Sequence, residues 1–253
     1  MVQTLSLQEG VIYGPVNSRR LGRSLGINLM PAGHKVCSFD CVYCHYGRTD
    51  LKTVEPEAGL FLLPQKVLEE VERALHEYQA LDYLTFSGNG EPTLYPYFGE
   101  VAREVRRLRD YIWPELGLAI LSNSSTAWNP SVREALEEID MAIMKLDAGD
   151  EESFARLNRP AAKVNLEEVI AGLAEMPKVV IQSVIIDGSP QNFCGEPQRA
   201  WLLALAKIRP EAVQIYSTDR PVAEPGVKRV PKETLIKLAS RAEEEIGILV
   251  RVY

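Results

Sequence analysis

The sequence predicts an α/β fold built on a parallel sheet, and two observations carry this. Short apolar runs alternate with amphipathic segments of helical period along most of the 253 residues, and such alternation builds a parallel sheet with right-handed crossovers. The runs are apolar over nearly their whole length, as strands covered on both faces must be. LGINLM (25–30) reads as the first strand, and the cysteine-bearing loop CSFDCVYCHYG (37–47) follows it. PQKVLEEVERALHEYQ (64–79) spaces its apolar residues as a helix does, and YLTFSG (83–88) is a strand ending in glycine. YFGEVAREVRRLRDY (97–111) is a helix, GLAILSN (117–123) a strand, and NPSVREALEEI (129–139) a helix with Asn129 as cap and Pro130 in its first turn. MAIMKLD (141–147), KVVIQSVII (178–186) and AVQIYST (212–218) are strands, separated by helices NLEEVIAGLAEM (165–176) and PQRAWLLALAKI (197–208). PKETLIKLASRAEEEI is a last helix before the short tail ILVRVY. Six β/α units result. A doubly wound open sheet and a barrel, full or partial, both satisfy the pattern.

Composition narrows the class. Hydrophobic content of 46% and charged content of 25% are those of an ordinary soluble domain, and the length fits one large α/β domain. No apolar run reaches the roughly 18 residues that span a bilayer, so no membrane partner is expected. The start MVQTLSLQEG lacks the basic and apolar regions of an export signal. A cytoplasmic location is therefore expected, where clustered thiols bind metal more often than they form disulfides. The net charge of −7 argues against a surface broadly devoted to phosphate backbones. Arg103, Arg106 and Arg107 share one helix face, which reads as a solvated outer face rather than a nucleic-acid patch.

In parallel α/β folds, function gathers at the C-terminal ends of the strands. Here those ends are the cysteine loop, SGNGEPT, SNSST, KLDAGD, IIDGSPQN and YSTDRP, all polar and all opening on one side. Cys37, Cys41 and Cys44 put three thiols in eight residues, with the uneven spacing CxxxCxxC. Thiolates suit zinc and iron–sulfur clusters alike. A closed zinc site needs a fourth ligand, for which His34 and His45 are the nearby candidates. Three cysteines in one loop suit a cubane better, each taking one corner iron and leaving the fourth open for an exogenous ligand.

CxxxCxxC with Tyr43 just before the last cysteine resembles the radical S-adenosylmethionine superfamily. The resemblance implies a partial (β/α)6 barrel as a single domain over 1–253, with its core at about 11–220 and a C-terminal helix and tail at 221–253. It implies a [4Fe-4S] cluster on Cys37, Cys41 and Cys44, and S-adenosylmethionine chelated at the open iron. Reductive cleavage would then give methionine and a 5′-deoxyadenosyl radical that abstracts hydrogen from substrate. An external one-electron reductant of flavodoxin or ferredoxin type follows from that chemistry.

SGNGEPTL (87–94) resembles the superfamily's glycine–glycine–glutamate element, which binds the amino group of the methionine moiety. Glycines at a strand end also permit close backbone approach to a ligand. Gly88, Gly90 and Glu91 carry the match, while Asn89 stands where the first glycine is usual. The resemblance implies that Ser122, Asn123 and Asp147 contact the carboxylate and ribose of the cosubstrate, and that Tyr43 and Ile186, in VIIDG, flank adenine. Lys145 and Asp147, two apart on a strand, face the same side. Facing the barrel interior they reach ligand, and facing outward they form a helix-packing ion pair. Lys145 is also a candidate catalytic group for substrate or proton transfer. Cys194, in the loop after the fifth strand, is either a bystander or a hydrogen-atom donor.

YGPVNSRRLGRSLGINL (13–29) places Arg19, Arg20 and Arg23 before the first strand, as candidates for a substrate carboxylate or phosphate. Surface pairing with the chain's many acids explains them equally well. With CVYCHYGRT, SGNGEPTLYP and LNRP (157–160), this stretch is similar to the branch containing the wyosine-forming tRNA enzymes, over about residues 11 to 220. Those enzymes hold a second cluster on cysteines upstream of the motif, and this chain has no cysteine before Cys37. Their tRNA-directed activity is therefore not expected to carry over. A small molecule, a protein such as a glycyl-radical enzyme, and tRNA remain as substrate classes. The alternative to radical chemistry is a non-catalytic zinc or iron–sulfur electron-transfer module.

Overall fold

A computed structural model describes residues 4–220, 222 and 224–253. In chain order its elements are strands β1 (Ile12–Ser18), β2 (Gly22–Ile27), β3 (Val36–Cys37) and β4 (Leu51–Lys52), then helix α1 (Pro64–Glu77). There follow β5 (Tyr83–Phe86), α2 (Phe98–Ile112), β6 (Gly117–Ser122), α3 (Pro130–Leu136), β7 (Met141–Lys145), α4 (Glu151–Leu157) and α5 (Leu166–Ala174). The chain ends with β8 (Val180–Val184), β9 (Ile186–Gly188), α6 (Gly195–Ile208), β10 (Ala212–Tyr216), β11 (Val227–Arg229), α7 (Lys232–Ile246) and β12 (Val250–Val252).

Eight strands form one sheet in the order β1-β2-β5-β6-β7-β8-β10-β12. Every neighbouring pair from β2 to β12 is parallel, and β1 folds back antiparallel on β2. The two edges of this sheet meet. Arg19, in the β1–β2 turn, pairs with Asp219 just past β10 at 2.8 Å. Arg20 lies over the rings of Tyr216 and Tyr253. A twisted parallel sheet curled this far is a partial barrel.

The two faces of the sheet differ, as side chains alternate along each strand. Leu84, Phe86, Leu118, Ile120, Met144, Ile181, Val213 and Ile215 belong to one continuous buried cluster with the helices. The other face lines the lumen, where Leu21, Ala119 and Ile143 form a second apolar cluster. Above it, at the C-terminal ends, the lumen turns polar with Lys145, Gln182 and Gln214. Strands read from sequence as apolar throughout thus have one wholly apolar face only.

Four elements depart from the sequence expectation. The first barrel strand covers Gly22–Ile27 rather than 25–30, because the Asn28 side chain bonds to the backbone of Gly10 and Met30 and ends the ladder. Strand β1 carries Gly14 and Pro15, which read as a break but are tolerated on an edge strand. Helix α4 is short, opened by Asp150 accepting from the Ser153 N–H at 2.8 Å. The tail is a seventh parallel strand, Val213 pairing with Val250 and Ile215 with Val252. Elsewhere Asn129 caps α3 as expected, accepting from the Ser131 N–H.

The arginine run on α2 is spent on acids. Arg106 reaches Asp110 and Glu138, and Arg107 reaches Glu104. Arg109 is buried and donates to Asp140 (2.5 Å), to Asp110 (2.7 Å) and to the Leu116 carbonyl. Burial works against ionisation of Asp140, but Arg109 and the Leu118 N–H prevail and hold its carboxyl below the ordinary range. Asp140→Asn is expected to cost about 1–2 kcal/mol at neutral pH, solvent screening included, since that side chain is 38% exposed. A depressed carboxyl stabilises above its unfolded pKa of about 3.9 and loses that contribution as pH falls further. Urea titrations at pH 7 and pH 3 should therefore show the gap between variant and parent closing in acid.

Candidate active site

The cysteine loop is clamped to the strand ends by backbone contacts. The Cβ that an alanine would place at position 90 lies 1.7 Å from the Val36 carbonyl oxygen, so only glycine admits this approach. Val36 and Gly90 bridge as a parallel pair, and the Glu91 N–H donates to the same carbonyl at 3.2 Å. Gly88 is packed against the Asn28 side chain, where an added Cβ would lie 2.4 Å from Oδ1. On its other side the loop is held by α4, where Val42 N–H donates to Leu157 O and Asp40 N–H to Asn158 O, both at 3.0 Å.

Two of the three sulfurs have an amide N–H donor, and the third has a cation near it. Asn123 Nδ2 lies 3.4 Å from Cys37 Sγ, and Asn158 Nδ2 lies 3.5 Å from Cys41 Sγ. Lys35 is buried, donates to the Gly47 carbonyl at 2.7 Å and stands close enough to Cys44 to feel its charge. Burial alone would lower its pKa, but Cys44, Cys37 and Cys41 together raise it. Burial pushes the Cys37 thiol up, with Cys41 and Glu91 adding to it. It pushes Cys41 up to about 11, with Asp147 adding to it. Soft ligands in a dry pocket, each met by a donor or a cation, fit thiolates sharing a charged cluster. A single zinc ion would draw sulfurs to about 3.8 Å from one another. Among the described residues, no group of three His, Cys, Asp or Glu side chains is gathered to hold one metal ion. His34, a fourth ligand considered from sequence, is exposed at the rim of a cavity of about 710 Å³ that no thiol lines.

Glu91 is 1% exposed, and its carboxylate is largely spent on the protein. Oε1 accepts from Thr93 N–H (3.1 Å), Thr93 Oγ1 (2.6 Å) and Ser122 Oγ (2.8 Å), and Oε2 accepts from Asn123 N–H (2.5 Å). With two lone pairs per oxygen, Oε2 keeps one acceptor position. Ser122 and Asn123, expected on the cosubstrate carboxylate, are thus turned toward Glu91 and Cys37. Asn89 faces away from the site. Its side chain accepts from Gln8 N–H (2.7 Å) and donates to Gln8 O (2.8 Å) and Pro31 O (3.1 Å). This outward direction explains how asparagine replaces glycine there. Asn89→Ala is expected to destabilise by about 2 kcal/mol and to speed hydrogen exchange in residues 5–10. Its affinity for S-adenosylmethionine should stay within threefold by equilibrium dialysis, and a larger loss would return Asn89 to the cosubstrate site.

Asp147 organises the opposite wall. It accepts from Tyr43 OH, Asn158 Nδ2 (2.9 Å) and Val184 N–H (2.8 Å), and it pairs with Lys145 at 3.2 Å. Lys145 faces the lumen, its ammonium 4.9 Å from the Tyr43 ring centroid. The helix-packing alternative for this pair is thereby excluded. Ile186 is buried at the start of β9, its N–H donating to Asn192 Oδ1 at 2.9 Å. Of the three candidate arginines, Arg20 alone turns its head inward; Arg19 pairs with Asp219, and Arg23 is exposed. Cys194 is exposed, with Gln191 as its neighbour. Lys35, Asn158 and Tyr216 were not singled out from sequence. Only Asn158 left a trace there, inside LNRP.

The Radical SAM superfamily model matches residues 34–193. UPF0026 protein MJ1312 of Methanocaldococcus jannaschii is 33% identical over 243 residues, covering 94% of this chain and 72% of that protein. UPF0026 protein slr1464 of Synechocystis is 30% identical, covering 95% of each. Among solved structures, a radical SAM methyltransferase from Sphaerobacter thermophilus superposes with TM-score 0.67 at 17% identity, over 91% of this chain and 65% of that one. TYW1 with a lysine–pyruvate adduct bound gives 0.58 at 17% identity, over 88% and 73%. At such identity these structures share a fold with the chain. Among the described residues no helix is long and apolar enough to cross a membrane.

Proposed function

Because the chain belongs to the radical SAM superfamily, within the UPF0026 family, we propose that it generates a 5′-deoxyadenosyl radical on Cys37, Cys41 and Cys44 and directs it at a substrate in the barrel lumen. It is a radical SAM enzyme, whose cofactors are a [4Fe-4S] cluster and S-adenosylmethionine. The observation that carries the residue assignment is the pair of amide donors, Asn123 at Cys37 and Asn158 at Cys41, with the buried ammonium of Lys35 near Cys44.

Cys37, Cys41 and Cys44 would hold the cluster, which when bound would supply the one electron that cleaves the C5′–S bond of the sulfonium, giving methionine and a radical able to take a hydrogen atom from substrate. The rest is work for the protein. Asn123, Asn158 and Lys35 offset charge on the sulfurs and so tune the electron's energy. The open position on Glu91 Oε2 receives the cosubstrate's ammonium. Asp147 fixes Tyr43 and Asn158 on one side of the chamber, and the apolar floor at Leu21, Ala119 and Ile143 keeps water from below. An external reductant is required, for which a flavodoxin or ferredoxin is the fitting class.

The wyosine-related reading is the finer proposal. TYW1 is the structure with the lysine–pyruvate adduct, and Lys145 is the amine in this chain's lumen. Burial works to lower its pKa, but Asp147, Tyr216 and Cys41 outweigh burial and keep it raised. That favours an ammonium over a free amine, and hence a binding group over a nucleophile. The test is anaerobic reconstitution followed by dithionite. Formation of 5′-deoxyadenosine is expected, and a protein that holds one zinc and leaves S-adenosylmethionine intact would end the proposal.

A further inference from the structure

The lumen carries a polar layer that the cluster and cosubstrate assignments leave unused. Lys145, Gln182 and Gln214 are lateral partners on β7, β8 and β10, so parallel register sets their side chains at one level of one face. Tyr216, two residues past Gln214, shares that face. Gln182 and Gln214 bond to each other at 3.4 Å. Of the cations beside them, Lys145 shares the crowded Asp147 at 3.2 Å, and among the described residues Arg20 forms no ion pair. Lys145 Nζ and Arg20 Nη1 are both buried with no hydrogen-bond partner among the described residues.

Both cations lie against one ring, Arg20 Cζ at 4.4 Å and Lys145 Nζ at 5.6 Å from the Tyr216 centroid. No more than about 10 Å therefore separates two like charges, in a place where water screens them poorly. Asp147 is the near acid, but its oxygens already serve Tyr43, Asn158 and Val184. Idle N–H groups on buried cations are costly unless a ligand brings the acceptors. The rim repeats the theme. In a chain of net charge −7, Arg19 and Arg229 share the single Asp219, at 2.8 and 3.0 Å.

We propose that the seam between the β1–β2 turn and β10 is an anion-receiving site, in which Arg20 Nη1 and Lys145 Nζ hold the carboxylate or phosphate group of the substrate against Tyr216. The substrate role rests on the function proposed above. The fork of Arg20 suits either anion. Lys145 also lines a void of about 10 Å³ with Asn123, Asp147 and Asn158, room for about one water beside its stem.

The test titrates cluster-loaded protein, without oxygen, with pyrophosphate and with malonate in a calorimeter. Saturable binding of at least one is expected, and which one binds separates phosphate from carboxylate. Arg20→Met and Lys145→Met should each weaken binding at least tenfold, Arg20→Lys by less than Arg20→Met, and Arg19→Met by less than threefold. No binding of either anion, or wild-type affinity in the Arg20 and Lys145 variants, overturns the site. Should Lys145→Met not fold, Lys145→Arg and the Arg20 pair decide. The methionine carboxylate is itself an anion, so the titration is repeated with saturating S-adenosylmethionine. Retained affinity is expected; a tenfold loss would assign the cations to the cosubstrate and overturn the substrate site. Failure of the same wild-type sample to form 5′-deoxyadenosine would sink the radical reading while leaving the anion titration standing.

Discussion

Cys41→Ala should lose the iron of reconstituted protein at least tenfold and abolish formation of 5′-deoxyadenosine, while the fold survives. In the proposed site three thiols share the cluster, and removing one would leave an iron corner without a protein ligand. Cys41 is the informative choice because its sulfur lies against the wall that Asp147 organises. Asn158 Nδ2 lies 3.5 Å from it, and Asp147 helps to raise its pKa. Alanine fills most of the volume of a half-buried cysteine, so the predicted loss of stability is about 1 kcal/mol or less. Cys194→Ala is the control, since that thiol is exposed and bonds to Gln191, away from the other three cysteines in sequence. Iron and sulfide content, with the spectrum of the reduced protein, reads the result. Full loading of the Cys41 variant would remove that residue from the ligand set.

How far the sequence reaches depends on the range of the interaction that decides each feature. The β/α alternation was legible because it is local, and the six expected helices fall within three residues of expectation at every terminus, as α1 at 64–77 against 64–79 illustrates, while α4 was missed. β1 and β12 were missed as strands because their reason is non-local. β1 holds Gly14 and Pro15, and only the neighbouring β2 makes it an edge strand. β12 is three residues long and exists because β10 offers it a parallel edge.

The site divides the same way. The thiol spacing and the glycines of SGNGEPT stand adjacent in sequence and were read directly. The partners of the sulfurs come from three separate places, Lys35 before the loop, Asn123 after β6 and Asn158 after α4, and no local pattern joins them. Asn89 shows the converse. Its position pointed to the cosubstrate, but the direction of its side chain is set by Gln8, 81 residues away. The arginines illustrate the same limit, since only the curl of the whole sheet decides that Arg20 turns inward and Arg19 does not.

Glu91→Ala is the variant in which these strands of reasoning meet. It should weaken S-adenosylmethionine at least tenfold, because the remaining acceptor on Oε2 is the place for an ammonium. It should also destabilise the protein by about 3–5 kcal/mol, since the buried donors of Thr93, Ser122 and Asn123 lose a charged acceptor together. The cluster should still load, its thiols being intact. Its reduction potential should fall below that of Glu91→Gln, which loses the same carboxylate charge beside Cys37, because Asn123 is fixed by Glu91 through its N–H and donates through Nδ2 to Cys37 Sγ. Slackening that donor leaves more charge on the sulfur and makes the cluster harder to reduce. Glu91→Gln separates the two roles. It keeps one amide oxygen for the protein donors and should recover part of the stability, but it offers no anionic oxygen to the cosubstrate and should not recover affinity. Unchanged affinity in the alanine variant would exclude Glu91 from the cosubstrate site. Equal potentials in the alanine and glutamine variants would break the link from Glu91 through Asn123 to the cluster.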